Sequence, residues 1–269
     1  MSAVLRVFHA RELLWNLTLR ELRTKYRRSF LGWAWSMLNP LATVAIYAFV
    51  FGVLFESNVP AGDPSGLSGF AYFLLCALLP WNFFALIANL GMSSISVNAG
   101  LVRRVAFPRE VLVFSNVLHA CVQFSIELGL LCIVLLVAGS PILPWLPVVV
   151  VTSILLAVFA SGFALALSTL TVFFRDITYL WTIFVQVWFF LTPVVYAPQL
   201  VDDRAPEWVR AVLELNPMSA FVTTFRDLLY DATWPSIGNA LTMVVSATLS
   251  ISGGWYVFLK MGQRLPEEV

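Results

Sequence analysis

Charged residues are scarce in this sequence. Only 12% of its 269 residues are charged and 60% are hydrophobic, and the mean hydropathy is +0.86. An ordinary soluble domain is about 25% charged. The composition therefore excludes a typical soluble protein and predicts a chain whose surface faces lipid. We expect no nucleic-acid partner.

Residues that usually carry catalysis or bind metals are also few. There are two histidines, His9 and His119, and three cysteines, Cys76, Cys121 and Cys132, all three within apolar runs. An odd number of such thiols is not a disulfide framework, and no second ligand stands at metal-site spacing. The patterns GxxxxGK[ST], HExxH and GxSxG are absent. We predict no catalytic residue, no metal site and no cofactor held by this chain.

The sequence does contain a basic cluster that runs directly into a long apolar run. Five basic residues lie within 20–28, and the 23 residues from Trp33 to Phe55 include no charge before Glu56. A helix needs about 20 apolar residues to span the hydrocarbon core. Basic residues beside a first span hold that flank in the cytoplasm. This junction predicts the first transmembrane helix and its orientation.

Five further apolar runs predict an all-α membrane protein with six transmembrane helices. These runs are Phe70–Leu90 (interrupted by Pro80), Val111–Val137, Trp145–Phe173, Thr178–Val195 and Ile237–Leu259. An even number of spans leaves both termini on one side. The segments then assigned to the cytoplasm hold 13 of the 16 basic residues, which is a strong positive-inside bias.

Residues 1–32 are predicted to form a cytoplasmic amphipathic segment, and residues 33–269 to form the six-span domain. In a helix over residues 8–28, Phe8, Trp15, Leu19, Leu22 and Tyr26 share a stripe, whereas Leu13 and Leu17 break the pattern. Such a helix suits the headgroup boundary. It is either a topology signal or an element that contacts a partner.

Between the fifth and sixth runs lies a long segment, 198–235, predicted to be outside. Within it, ELNPMSAFVTTFRDLLY is apolar but too short to cross a bilayer. A helix that enters the outer leaflet and returns is tolerated only where protein covers its backbone. We therefore predict re-entrant outer helices here.

Polar residues form a stripe on the third predicted span. Asn116, His119, Gln123 and Glu127 recur at three- and four-residue spacing, and Glu127 lies near the middle of the run. An ionisable group at that depth faces protein or water rather than lipid. It either lines a polar passage or is satisfied by a neighbouring group.

Aromatic residues share faces on two spans. Tyr47, Phe51 and Phe55 recur on the first, and Trp181, Phe184 and Trp188 on the fifth. Ordinary packing explains such a pattern, and so does a lining of rings that stack on sugar faces. The fourth span carries a face of small residues that permits close helix contact: Ala157, Gly162, Ala166 and Ser168.

Five segments occur in an order that resembles one known family. They are RELRTKYRRSFLGWAWSMLNP, NAGLVRRVAFPRE, VFFRD, WFFLTPVVY and ELNPMSAFVTTFRDLLY. In this order they resemble the membrane subunit of bacterial ATP-binding-cassette exporters for polysaccharides, of the O-antigen, teichoic-acid and galactan type. The resemblance covers nearly the whole chain.

The resemblance implies a homodimer in the bacterial inner membrane that works with two separate ATPase subunits, which bind ATP and Mg²⁺. It implies that the exported substrate is a lipid-linked polysaccharide and that membrane lipids surround the subunit. It also implies a substrate channel lined by Tyr47, Phe51, Trp181, Phe184 and Trp188. The loop that it implies for ATPase docking contains Asn98, Leu101, Arg103, Arg104, Phe107, Pro108 and Arg109.

Three alternatives stay open from the sequence. A drug- or lipid-exporting permease of the same superfamily has the same topology. An intramembrane glycan enzyme is disfavoured by the missing clusters of acids and histidines. A stand-alone secondary transporter is disfavoured because no inverted repeat or paired intramembrane charge is visible.

Overall fold

The computed structural model describes residues 10–25, 32, 34–47, 49–50, 61–105, 107–197 and 206–262. These parts of the chain contain helices and turns and no strand. The helices are α1 (Arg11–Lys25), α2 (Ala34–Tyr47), α3 (Phe70–Val97), α4 (Ala99–Arg104), α5 (Glu110–Val137), α6 (Leu146–Phe173), α7 (Ile177–Phe190), α8 (Glu207–Leu215), α9 (Pro217–Arg226) and α10 (Ile237–Gly262). A 3₁₀ turn, Leu143–Trp145, precedes α6, and a π-helical turn, Asp227–Asp231, follows α9.

Four stretches of helix in the described chain are long and apolar enough to cross a membrane. They are α3, α5, Leu143–Phe173 and α10. Helix α7 is apolar but has only 14 residues. Of the first predicted span, the helix that the structure describes is Ala34–Tyr47. The all-helical membrane architecture is thus confirmed, with four of the six predicted spans present at full length.

Pro80 does not interrupt the second predicted span, which corrects the expectation from the sequence. Helix α3 runs without a break from Phe70 to Val97 with Pro80 inside it. A proline removes one helical hydrogen bond, and a membrane helix tolerates this where its neighbours pack around it. Pro80 and the adjacent Trp81 are both buried, so protein covers this site.

Helix α7 ends earlier than the apolar run does. The run was predicted to extend to Val195, but the helix ends at Phe190 and the chain turns through residues 191–196. Pro193 lies in this turn, and a proline has no N–H to continue a helix. The apolar residues after Phe190 therefore belong to a turn that packs on α9.

Helix α1 packs against α5. Leu13 and Leu17, which interrupt the apolar stripe predicted for this helix, lie on its protected side. Leu17 is 6% exposed and Leu13 is half-buried, whereas Trp15 is 60% exposed. The helix therefore has two apolar sides. One side contacts the protein, and Trp15 lies on an exposed side.

The centre of the structure is α6, which packs between α3 and α10. A Cβ atom added to Gly91 would overlap Ala164, and one added to Gly162 would overlap the backbone of Ser250. Close backbone approach without side chains is the usual way in which membrane helices pack. For Gly162, the predicted close contact on the small-residue face is confirmed.

Candidate functional site

The turn after α7 and the start of α9 are joined through Asn216. Its Oδ1 accepts from the indole Nε1 of Trp188 at 2.7 Å and from the backbone N of Met218 at 3.0 Å. Its Nδ2 donates to the carbonyl of Leu191 and to Oγ1 of Thr192, both at 3.0 Å. One side chain thus caps α9 and holds the end of α7.

Arg226, the last residue of α9, makes a second junction with the same turn. It is 4% exposed, and its guanidinium donates to the carbonyls of Pro193 and Val194. Its Nε donates to the carbonyl of Phe73 at 3.4 Å, and its Cζ lies 3.7 Å from the centroid of the Phe73 ring. A buried charge persists only when its donors are paired. Carbonyl oxygens and a ring satisfy it here.

The ionisable groups beside this junction are perturbed by burial. Burial lowers the pKa of Arg226 to about 9, which leaves the guanidinium charged at neutral pH. Burial raises the pKa of Asp227 to about 7, and the adjacent Asp231 carboxylate adds to this shift. Burial likewise raises the pKa of Asp231. The hydrogen bonds of the Arg226 guanidinium are made with neutral carbonyl oxygens.

The two predicted channel tryptophans of α7 lie inside the protomer. Trp181 is 6% exposed and Trp188 is 8% exposed, and both rings pack against Phe163 of α6, at 5.8 and 5.6 Å between centroids. Trp181 Nε1 also donates to Oδ1 of Asn89 on α3 at 2.9 Å. They share a face, as the spacing predicts, and that face points toward α3 and α6.

The other predicted aromatic residues lie elsewhere. Phe184 is 48% exposed and contacts Trp188 at 5.0 Å between ring centroids. Tyr47 is half-buried against the apolar core. Phe51 lies outside the described residues. Phe184 is therefore the described member of the predicted set whose ring is most accessible.

Asn98 forms a corner where α3 ends and the short helix α4 begins. Its Nδ2 donates to the carbonyl of Ser94 at 2.8 Å. Its Oδ1 accepts from Nη2 of Arg20 at 2.7 Å, which ties the corner to α1. Arg103 and Arg104 at the other end of α4 are exposed. Leu101, between them and the corner, is half-buried.

The second half of the predicted docking loop meets the end of α10. Phe107, Pro108 and Arg109 are half-buried, and Arg109 donates from Nη1 to the carbonyl of Gly262. A cavity of ≈ 500 Å³ lies between the loop and α10, lined by Phe107, Pro108, Arg109, Glu110, Phe258, Leu259 and Gly262. Three of the seven predicted loop residues, Phe107, Pro108 and Arg109, thus line one concave surface.

The polar stripe predicted on the third span is largely buried. Asn116, His119 and Glu127 are 8%, 2% and 8% exposed. Gln123 Nε2 donates to Oε1 of Glu127 at 2.8 Å, and Asn116 Nδ2 donates to the carbonyl of Leu90 at 3.3 Å. Glu127 lines a small apolar crevice together with Leu41, Leu75 and Leu79. This environment favours a satisfied structural group over a polar passage.

We expect Glu127→Gln to leave folding and export nearly intact, because an amide retains the acceptor for Gln123. Glu127→Leu should lower the yield of folded protein, since it removes the acceptor of the 2.8 Å hydrogen bond from Gln123, at a cost of about 1–3 kcal/mol. Adding Gln123→Leu to Glu127→Leu should partly suppress that loss, because it removes the donor of the same bond. Thermal unfolding of wild type, the two single leucine variants and the double variant measures the coupling. Loss of export by Glu127→Gln at normal expression would contradict a structural role.

The sequence pattern does not single out Asn216 or Arg226. Arg226 lies in the segment 198–235 that is predicted to be outside, yet it is buried. The available signal was Asn-Pro at 216–217, because an asparagine before a proline is a common helix start. Nothing in the sequence pairs these residues with the Thr-Pro-Val turn after α7.

Comparison with known proteins gives one family. The model of the ABC-2 type transporter family matches residues 12–230. An O-antigen export system permease protein RfbA of Klebsiella pneumoniae is 30% identical over 223 residues, which is 82% of each chain. A protein of the same name from Myxococcus xanthus is 28% identical over 273 residues, covering 99% of this chain and 98% of the relative.

A further relative is more distant. The polysialic acid transport protein KpsM of Escherichia coli is 31% identical over 119 residues, which is 44% of each chain. The family match covers α1, the predicted docking loop, α7 and both junction residues, Asn216 and Arg226. The chain therefore belongs to the ABC-2 type transporter family.

Proposed function

We propose that this chain is the channel-forming membrane subunit of an ATP-driven exporter that moves lipid-linked polysaccharide across the bacterial inner membrane. The observation that carries the proposal is similarity over nearly the whole chain to permeases named for O-antigen export. The order of the five sequence motifs agrees with it. Catalysis of ATP hydrolysis is assigned to a separate subunit, because the sequence has no phosphate-binding loop.

The proposed topology has six spans with both termini in the cytoplasm. Four long helices cross the membrane, and α2 and α7 belong to the two remaining spans. The distribution of basic residues supports this orientation. In it, α4 and the cavity beside Arg109 face the cytoplasm, and the Asn216 and Arg226 junctions face outward.

Two copies of the chain are proposed to enclose the passage. Only Trp181 and Trp188 of α7 are buried within the protomer. Ile177, Val185 and Phe189 are half-buried against the core. The exposed apolar residues of the helix are proposed to meet a second copy, lipid or substrate: Tyr179, Leu180, Ile183, Phe184, Val187 and Phe190. Phe184, with Tyr47 of α2, is proposed to contact the glycan by ring stacking. Trp181 and Trp188 are proposed to support that surface from within.

The ATPase is proposed to dock on α4 and the concave surface between the loop and α10. Reversing both exposed charges, with Arg103→Glu and Arg104→Glu, should weaken co-purification of the ATPase about tenfold or more. The control reverses the charge of the exposed Arg175, in the turn between α6 and α7 and outside the predicted docking loop, with Arg175→Glu. Equal retention of the ATPase by wild type and the α4 variant, at equal yield, would contradict this docking site.

Depletion of the chain in its own bacterium tests the proposed function. We expect surface glycan to disappear and lipid-linked glycan to accumulate on the cytoplasmic side, measured by antibody labelling before and after cell opening. A drug exporter would leave both unchanged on depletion. Loss of surface glycan without internal accumulation would indicate a role in synthesis and would contradict export.

A further inference from the structure

Asn98 is buried at the corner between α3 and α4, although the resemblance places it among the docking residues. Its side chain is 9% exposed. Its Nδ2 donates to the carbonyl of Ser94 at 2.8 Å, and its Oδ1 accepts from Nη2 of Arg20 at 2.7 Å. Both ends of the amide are therefore engaged within the chain. This side chain supports the corner from inside and does not present itself to a partner.

The backbone of Asn98 ends one helix and begins the next. Its N–H donates to the carbonyl of Ile95 at 3.1 Å, in the last turn of α3. Its carbonyl accepts from the N–H groups of Leu101 and Val102, at 2.9 and 3.0 Å, in the first turn of α4. With φ −102° and ψ 21°, Asn98 lies outside the α-helical region, so the chain changes direction here. The direction of α4 therefore depends on how Asn98 is held.

Arg20 joins this corner to α1. Its Nη2 donates to Oδ1 of Asn98 and also to Oε1 of Glu21, both at 2.7 Å. Hydrogen bonds from a charged donor are shorter and stronger than neutral ones. The contact with Glu21 orients the guanidinium on α1, and the contact with Asn98 connects two segments that are 78 residues apart in the sequence. The bond is thus an oriented link between α1 and the start of α4.

Helix α1 is itself fixed to the spanning part of the chain. Leu17 and Thr18 are 6% and 1% exposed, and the helix packs against α5. The loop that follows α4 leads directly into α5, and Arg109 at its end donates to the carbonyl of Gly262 on α10. Helix α4 is therefore held to α1 at its start and to α10 beyond its end.

Helix α4 needs such support because it is short. It has only six residues, and a helix of that length is not stable alone in water. Val102 is 5% exposed and fixes one side, whereas Arg103 and Arg104 are exposed. The arginines proposed to meet the ATPase are consequently presented by a helix whose direction is set by contacts at its ends.

We propose that Arg20 and Asn98 are positioning residues that join α1 and α4 into one unit, through which movement of the ATPase reaches the spanning helix α5. This inference rests on the proposed function and adds a link that the docking residues do not supply. The link lies away from the exposed arginines of α4. Its loss should therefore change how much transport each ATP drives and leave binding of the ATPase unchanged.

The test measures lipid-linked glycan transported per ATP hydrolysed, with wild type and variants reconstituted with the ATPase subunit in inside-out vesicles. Arg20→Met and Asn98→Leu should each lower this ratio about tenfold, as expected for loss of a hydrogen bond to a charged group. The double variant should lower it no further, because both changes break the same bond. Co-purification of the ATPase and the unfolding temperature should match wild type. Arg23→Met, which removes an exposed arginine of the same helix, is the matched control.

Two rescue variants separate coupling from a purely structural role. Asn98→Asp retains the acceptor for Arg20 and should keep most of the transport per ATP, and it replaces Asn98→Leu if that variant folds poorly. Arg20→Cys combined with Asn98→Cys should lose coupling and regain it when a short bis-thiol reagent joins the two cysteines. Wild type treated with the same reagent controls for the native cysteines.

The outcomes that overturn the link are distinct. Normal transport per ATP in Arg20→Met overturns it, with or without a lower unfolding temperature, because the contact would then be structural only. Loss of ATPase co-purification overturns it as well, since these residues would then be docking contacts. Arrest of export by the cross-link would show that α1 and α4 must separate and would contradict one unit. Absence of ATP-dependent export by wild type instead overturns the proposed function.

Discussion

Gly254→Ala is expected to prevent stable folding of the chain. A Cβ atom at this position would overlap the carbonyl group of Gly162, and one at Gly162 would overlap Ser250. The Ser250 hydroxyl also donates to the carbonyl of Phe159 at 2.7 Å, so α6 and α10 cannot separate without losing a bond. Overpacking a close contact costs about 1–3 kcal/mol or more. Here the overlap is with backbone, which cannot rotate away.

The adjacent glycine supplies the control. A Cβ atom at Gly253 meets nothing within 4 Å. Gly253→Ala should be neutral or stabilise the helix by up to about 1 kcal/mol. Thermal unfolding of the purified chain in detergent measures both variants. Equal unfolding temperatures for the two alanine variants would show that the α6–α10 crossing is not as close as described.

Arg226→Met is expected to abolish the folded protein almost completely. The substitution removes the donors for the carbonyls of Pro193 and Val194 and a weaker contact with the Phe73 carbonyl, which α3 also engages in its helix. Each buried acceptor left without a donor costs about 1–3 kcal/mol. The loss at two carbonyls reaches the lower end of the free energy of unfolding of a typical domain, about 5–15 kcal/mol. The variant also loses the hydrogen bonds that join the end of α9 to the turn after α7.

Two further substitutions show whether the loss of folded protein comes from the lost hydrogen bonds of Arg226. Arg226→Lys keeps the positive charge but lacks the planar guanidinium that donates to several carbonyls at once. It should therefore recover part of the yield of folded protein. Arg175→Met removes an exposed arginine from the turn between α6 and α7 and should have no effect. Yield of monodisperse protein and the unfolding temperature are the measurements. Full stability of Arg226→Met would contradict a supporting role for the junction.

Much of the fold was predictable because hydrophobic runs report membrane helices directly. All four full-length spans begin within two residues of their predicted starts. Pro80 misled the prediction, because the sequence does not report how neighbouring helices cover a proline. The prediction placed the end of α7 too late. Residues 191–196 are largely apolar because they pack on α9, and they do not continue the membrane-spanning helix.

The candidate site was less predictable. Residue spacing shows which side chains share a face of a helix, but it does not show what that face points toward. Trp181 and Trp188 share a face as expected, yet that face points into the protomer. Arg226 has the sequence environment of a loop residue, and its burial depends on the turn at Pro193, which lies 33 residues earlier. Contacts between distant segments of this kind are set by tertiary packing. They leave no periodic signal in one sequence.

The most direct test of the proposed function is ATP-driven uptake of a lipid-linked glycan by inside-out vesicles. The vesicles contain this chain and its ATPase partner, and protection of the glycan from an added glycosidase reports transport. We expect protection only when both proteins and hydrolysable ATP are present. Protection without ATP, or its absence in the complete system while ATP is hydrolysed, would contradict the account.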